Sequence, residues 1–137
     1  NATLIAQEVI KGEGCRVILL GGELRRGELS VSGYLSDENL QNFYANKLLI
    51  GVGGISPESG VTYYHFQEAN TRRNMIARSD KVIALADYSK FGVTAMNSVC
   101  PISKVDTLVT DWTTPAQSIS DYRALGIEVL VAEQPPQ

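Results

Sequence analysis

Ile50 to Gly92, IGVGGISPESGVTYYHFQEANTRRNMIARSDKVIALADYSKFG, is the stretch whose reading decides the fold. It begins with an apolar strand, passes a glycine-rich loop, continues as a helix carrying Glu68, and ends in a second apolar strand. That second strand delivers Asp87, Ser89 and Lys90 at its carboxyl end. In an open parallel sheet, small molecules bind outside the carboxyl ends of the strands. A mobile cation, a carboxylate and a hydroxyl at such a place can hold a phosphorylated polyol. Asp-x-Ser-Lys is also an ordinary strand-exit sequence, and taken alone it favours a plain turn.

The same alternation extends in both directions. Apolar spacing predicts a helix over Thr3–Lys11, with Asn1 or Thr3 as its cap, and a short strand over Arg16–Leu20 that stops at Gly21-Gly22. A flexible Gly/Ser/Glu-rich loop is expected from Gly27 to Ser32, followed by a helix from Ser32-Gly33 to Asn42 with Leu35, Leu40 and Phe43 facing inward. Lys47–Val52 and Lys81–Ala86 read as buried strands flanking a helix over Phe66–Arg78. That helix lines up Phe66, Ala69, Arg73 and Ile76 on one stripe. Thr107–Thr110 is a further strand, then come a helix from about Thr114 to Leu125, ending at Gly126, and a last strand over Ile127–Val131. The terminal Pro-Pro-Gln is expected to fray. Nearly continuous apolar strands separated by helices imply a mostly parallel sheet with helices on both faces, a three-layer α/β fold.

Composition bounds the function. The 137 residues suit one compact domain, with 44% apolar and 20% charged side chains. Net charge is −3, and the short basic clusters are Arg25-Arg26 and Arg72-Arg73. A domain that grips nucleic acid by charge normally shows a basic face, so this segment is not expected to bind DNA itself. Cys15 and Cys100 have no metal spacing and read as reduced thiols of a cytoplasmic protein. The apolar runs fall short of the ~20 residues a membrane helix needs. Asn1, in place of Met, and a chain that opens on a helix suggest a fragment lacking a preceding strand.

Several residues carry candidate chemistry. Gly21 and Gly22 follow a strand, where glycine lets a backbone approach a ligand or simply leave the sheet. Gly51, Gly53 and Gly54 do the same one strand later, without the spacing of a dinucleotide fingerprint. Ser32 and Gly33 suit a helix cap or an anion site. Lys90 is the first choice for neutralising a phosphate, and Asp87 can accept sugar hydroxyls or hold Lys90 in place. Glu68 can favour the helix dipole or pair with Arg72 four residues on, an exposed arrangement worth a few tenths of a kcal/mol. His65 has no cysteine or second histidine near it in sequence, so no metal site is expected, and no other cofactor is implied. Trp112 reads as covering a loop or an interface.

An ordered set of motifs runs through the chain: GGELRRG followed by Ser-x-x-Gly at Ser30–Gly33, GGISPESGVT, EANTRRNMI, ALADYSKFG and VDTLVTD. In this order they resemble the carboxyl-terminal effector domain of the DeoR family of bacterial sugar-metabolism repressors. The resemblance implies a fold like that of ribose-5-phosphate isomerase and the CoA transferases. It also implies a phosphorylated-sugar effector and an upstream winged helix-turn-helix that binds operator DNA. Self-association is expected because palindromic operators are read by two-fold dimers and exposed strand edges tend to pair. Effector contacts would fall to Gly21, Gly22, Gly53, Gly54, Glu68, Asp87, Ser89 and Lys90. Two departures stand out. The family's Asp-Ser-Gly-Thr-Thr phosphate loop would lie before Asn1, and many members carry Asp where this chain has Gly53. A phosphosugar isomerase of the same fold is the rival reading, with Glu68 and Lys90 as base and carbonyl-polarising cation. A response-regulator receiver also ends a strand on lysine, but its acidic pair and phosphoacceptor Asp have no counterpart here.

Overall fold

The computed structural model describes residues 1–135, and the expected fraying at Pro136 and Gln137 lies outside them. The chain divides into two compact units, Asn1–Tyr44 and Ala45–Gln137.

The first unit is built on hydrogen bonds more than on a core. Helix α1 (Thr3–Val9) buries none of its residues. Neither Asn1 nor Thr3 caps it: Ala2 holds the cap position, and both neighbouring side chains are drawn to the hairpin instead. Asn1 Nδ2 donates to the Val31 carbonyl at 3.1 Å and Thr3 Oγ1 to the Leu29 carbonyl at 2.7 Å. Strands β1 (Glu23–Arg25) and β2 (Ser30–Ser32) form that antiparallel hairpin, so the expected flexible loop is in part a buried strand. Its turn needs Gly27, at φ 94°. No strand forms over 16–20, because no described residue offers the RVILL segment a ladder partner; Ile18 and Leu19 are about half exposed. Helix α2 (Tyr34–Leu40) starts at Gly33, again at φ 94°, with no side-chain cap. Ser32 thus ends a strand rather than capping a helix. Ser36 is the buried position of α2, while Leu35 and Phe43 are exposed, contrary to the inward positions expected.

The second unit carries the α/β sheet. Strands β3 (Ala45–Gly51), β6 (Ser79–Leu85), β8 (Thr107–Thr110) and β9 (Glu128–Val131) lie parallel in that order. Helix α3 (Phe66–Ala77) falls between the first two in sequence and α4 (Ala116–Ala124) between the last two. Burial alternates as the pleat dictates. Ile50, Val82, Ala84, Leu108 and Val129 point into one core with Ala69 of α3 and Tyr122 of α4, whereas Leu49, Leu85 and Leu130 on the opposite face remain 40–64% exposed. Phe66 is 68% exposed, so the stripe expected on α3 is displaced: Glu68, Ala69 and Thr71 are its buried residues.

A second sheet of three antiparallel strands was not expected. The glycine-rich stretch is a hairpin of β4 (Gly54–Ser56) and β5 (Gly60–Tyr63), and β7 (Asn97–Cys100) pairs with β5. Ser56 Oγ accepts the Ser59 amide at 3.0 Å and closes the turn. Gly60, at φ 65°, faces the Cys100 carbonyl so closely that any Cβ would collide with it. Ile55 and Val61 are fully buried here, each contributing roughly 1.5–3 kcal/mol by removal from water. Both cysteines are free thiols; burial pushes that of Cys100 up, while Cys15 is exposed.

Candidate functional site

The site is assembled at the carboxyl ends of β3, β6 and β8. Gly51 pairs with Leu85 and Leu85 with Val109, so the three strands exit side by side. After β6, Ala86 donates its amide to the Val109 carbonyl at 3.0 Å, and the chain turns at once through a short 3-10 turn, Tyr88–Lys90. Asp87 caps this turn. Its Oδ1 accepts the Ser89 amide at 2.9 Å and the Ser89 hydroxyl. Those bonds, the hydroxyl first, with the Lys90 charge adding to them, hold the Asp87 carboxyl below its usual range, against partial desolvation and the nearby Asp111 charge.

Lys90 Nζ lies 3.8 Å from Asp87 Oδ2. That is ion-pair distance but too long for a hydrogen bond, a loose, partly exposed pair that leaves the ammonium's donors open to a ligand. Both uses considered for Asp87, pairing with Lys90 and accepting sugar hydroxyls, are compatible with that geometry.

The hairpin of β4 and β5 is joined to the same turn. Gly92 donates its amide to the Ile55 carbonyl at 2.9 Å, and Ile55 bridges Phe91. Gly54 packs its bare Cα against the Val93 carbonyl, where a Cβ would have no room. Gly53 donates to the Thr62 carbonyl at 3.0 Å, and a Cβ there would meet Thr62, Tyr63 and Tyr64 at 3.1 Å. Gly54 is thus required by packing, and Gly53 sits closely enough that a side chain would have to displace its neighbours slightly. Gly21 and Gly22 belong to the other unit. There Ser36 Oγ donates to the Gly21 carbonyl at 2.6 Å, and Gly22, at φ 141°, leaves no space for a Cβ beside Ser36 and Ser32.

Glu68 forms the expected pair with Arg72, but in a buried setting. Its carboxylate is 1% exposed and meets Arg72 Nη1 at 3.3 Å, and the Arg72 side chain is 12% exposed. The guanidinium lies 3.6 Å over the Tyr63 ring and its Nε reaches the Gly51 carbonyl at 3.4 Å. A buried arginine at the end of β3 is therefore part of this region, its planar guanidinium stacked on the Tyr63 ring. Arg73, the other half of the basic pair, donates instead to the Ser98 carbonyl at 2.9 Å.

Asp111 is the acidic residue that the sequence reading left without a role. At the exit of β8 its Oδ2 accepts the Tyr88 amide at 2.8 Å, and its Oδ1 accepts the Thr113 amide at 2.8 Å and the Thr113 hydroxyl. These bonds, the Thr113 hydroxyl first, lower its pKa. The VDTLVTD motif contained the residue, but only the fold shows that it reaches the Lys90 turn. His65 is exposed immediately before α3, and no three or more His, Cys, Asp or Glu among the described residues are grouped to hold a metal. Trp112, beside Asp111, is 45% exposed.

A family model of the DeoR C-terminal sensor domain matches residues 1–112. The chain belongs to the DeoR family. Relatives along most of its length are named as transcriptional repressors. It is 37% identical over 135 residues to the HTH-type transcriptional repressor GlcR of Bacillus subtilis, covering 98% of this chain and 52% of that protein. It is 32% identical over 125 residues to the glycerol-3-phosphate regulon repressor of Escherichia coli K12, covering 89% and 50%. A putative aga operon transcriptional repressor of Escherichia coli O157:H7 shares 30% over 131 residues, covering 96% and 49%. The chain therefore spans about half the length of the curated relatives it matches. Among the described residues, no helix of this sensor domain is long and apolar enough to cross a membrane.

Proposed function

We propose that this DeoR sensor domain binds a phosphorylated sugar or polyol and transmits its presence to an operator-binding winged helix-turn-helix elsewhere in a cytoplasmic, self-associating repressor of carbohydrate use. The observation that carries the reading is Lys90. A partly exposed ammonium, 3.8 Å from the Asp87 carboxylate, stands on a turn at the carboxyl edge of a parallel sheet. Ser89 and Asp87 beside it supply a hydroxyl and a carboxylate for the polyol part. The printed name of one relative, the glycerol-3-phosphate regulon repressor, supports the same ligand class. The net charge of −3 supports leaving DNA recognition to another part of the protein.

The mechanism is linkage: a ligand that binds one arrangement of the repressor better shifts its population and alters operator affinity. An isomerase would need a carboxylate base free to meet substrate near a polarising cation. Glu68 is instead buried and engaged by Arg72, which weighs against that alternative.

The test is operator release by the intact repressor, titrated with glycerol phosphates, hexose 6-phosphates and hexose 1-phosphates. One charge-assisted contact contributes on the order of 1.5–3 kcal/mol. Lys90→Ala is therefore expected to weaken the response at least about tenfold, since ~1.4 kcal/mol is a decade. A folded Lys90→Ala repressor that responds as wild type does removes the residue from the site and the reading with it.

A further inference from the structure

We propose that Asp111 is a positioning residue of the effector site, holding in place the turn that presents Lys90. The inference rests on the reading of Lys90 above. Tyr88, Ser89 and Lys90 are all outside the buried core, and Tyr88 is 57% exposed. Apolar packing anchors the ends of the turn, at Ala86 and Phe91, but not these three residues, whose placement falls to hydrogen bonds. Within the turn, Asp87 accepts the Ser89 amide and its carbonyl accepts the Lys90 amide at 3.0 Å. Across the sheet, Asp111 Oδ2 takes the Tyr88 amide at 2.8 Å from 23 residues away. Its other oxygen is occupied by Thr113, so the carboxylate cannot rotate away without giving up bonds on both sides.

The bridged segments leave adjacent strands, because β6 and β8 are neighbours and the Ala86 amide already meets the Val109 carbonyl. Asp111 adds a second tie one step beyond the ladder. With its oxygens engaged by three donors, the residue is suited to shaping the turn rather than to accepting from the ligand's hydroxyls. Rigid presentation of a contact group saves the ordering cost that binding would otherwise incur.

A double-mutant cycle on the intact repressor tests this, with operator release titrated by whichever of glycerol 3-phosphate, glucose 6-phosphate or fructose 1-phosphate releases the wild type. Asp111→Ala removes the tie on the Tyr88 amide and is expected to weaken the response severalfold, less than Lys90→Ala does. In a Lys90→Ala background the same substitution is expected to change little, because the group being positioned is gone. Asp111→Asn, which keeps the size but can accept on only one oxygen, is expected to fall between wild type and Asp111→Ala, and it serves if the alanine variant does not fold. A wild-type response to Asp111→Ala, or a loss that adds in full to that of Lys90→Ala, overturns the positioning role while leaving the Lys90 reading intact. A wild-type repressor released by none of the three esters overturns the phosphorylated-ligand reading, and this inference falls with it.

Discussion

Glu68→Ala tests the buried ion pair most directly, and the structure changes its expected cost by an order of magnitude. As an exposed i,i+4 pair, Glu68 and Arg72 would be worth a few tenths of a kcal/mol. Glu68 is in fact 1% exposed and Arg72 12%. Removing one partner of a buried pair typically costs about 3–5 kcal/mol, because the other charge is left without compensation. Arg72 would keep the Tyr63 face, the Gly51 carbonyl and the Glu68 main-chain carbonyl, so part of that penalty is relieved. The expected loss is about 2–4 kcal/mol, which for a domain of this size lowers Tm by roughly 10 °C. Urea denaturation followed by circular dichroism reads it as a fall in midpoint at unchanged slope. A companion variant, Glu68→Leu with Arg72→Met, replaces both charges by apolar groups and is expected to recover most of the loss. If Glu68→Ala unfolds within about 0.5 kcal/mol of wild type, the pair is screened like a surface one, and its burial has no energetic consequence.

Two further outcomes follow from local geometry. Gly54→Ala places a methyl group against the Val93 carbonyl and is expected to cost more than about 2 kcal/mol, whereas Gly27→Ala meets open space and incurs only the left-handed backbone penalty of about 1 kcal/mol; equal midpoints in thermal melts would refute the packing role of Gly54. Tyr122→Phe is expected to be neutral or slightly stabilising at pH 7, because the buried hydroxyl has no partner among the described residues. Desolvation pushes the Tyr122 pKa from 10.0 up to about 12. The folded state thus keeps the proton more tightly than the unfolded one, and wild-type stability falls relative to Tyr122→Phe as pH rises from 10 toward 12, by at most ~1.4 kcal/mol per pH unit. Parallel pH profiles of the two proteins would refute it.

Legibility in the sequence followed range. The four parallel strands and helices α3 and α4 were readable, because apolar runs and helical spacing are local signals. The hairpin of β4 and β5 was hidden by its glycines, which read as loop yet serve as close-packing positions against Val93 and Cys100. The segment RVILL failed in the opposite sense: its composition is that of a strand, but a strand exists only with a partner. At the candidate site, Asp87, Ser89 and Lys90 were visible as one short motif. Asp111 and the Tyr63 ring were not, since their roles depend on contacts across 23 residues in one case and on a stacking plane in the other.

The distribution of buried side chains makes the molecule mechanically uneven. Of the buried apolar residues, Val31 alone belongs to Asn1–Tyr44; every other one lies beyond residue 45. Opening a region exposes little where little is buried, so the amino-terminal unit is the low-energy end of the domain's fluctuations, held by main-chain and side-chain hydrogen bonds such as those of Asn1 and Thr3. The carboxyl-terminal unit, with Lys90 and its supporting turn, is the stiff end. Sequence change should be tolerated accordingly: more freely at the exposed positions of the first 44 residues than at the buried Ser30, Val31, Ser32 and Ser36 or the tight Gly22, and sparingly where Ile55, Val61 and Leu108 leave no surface at all.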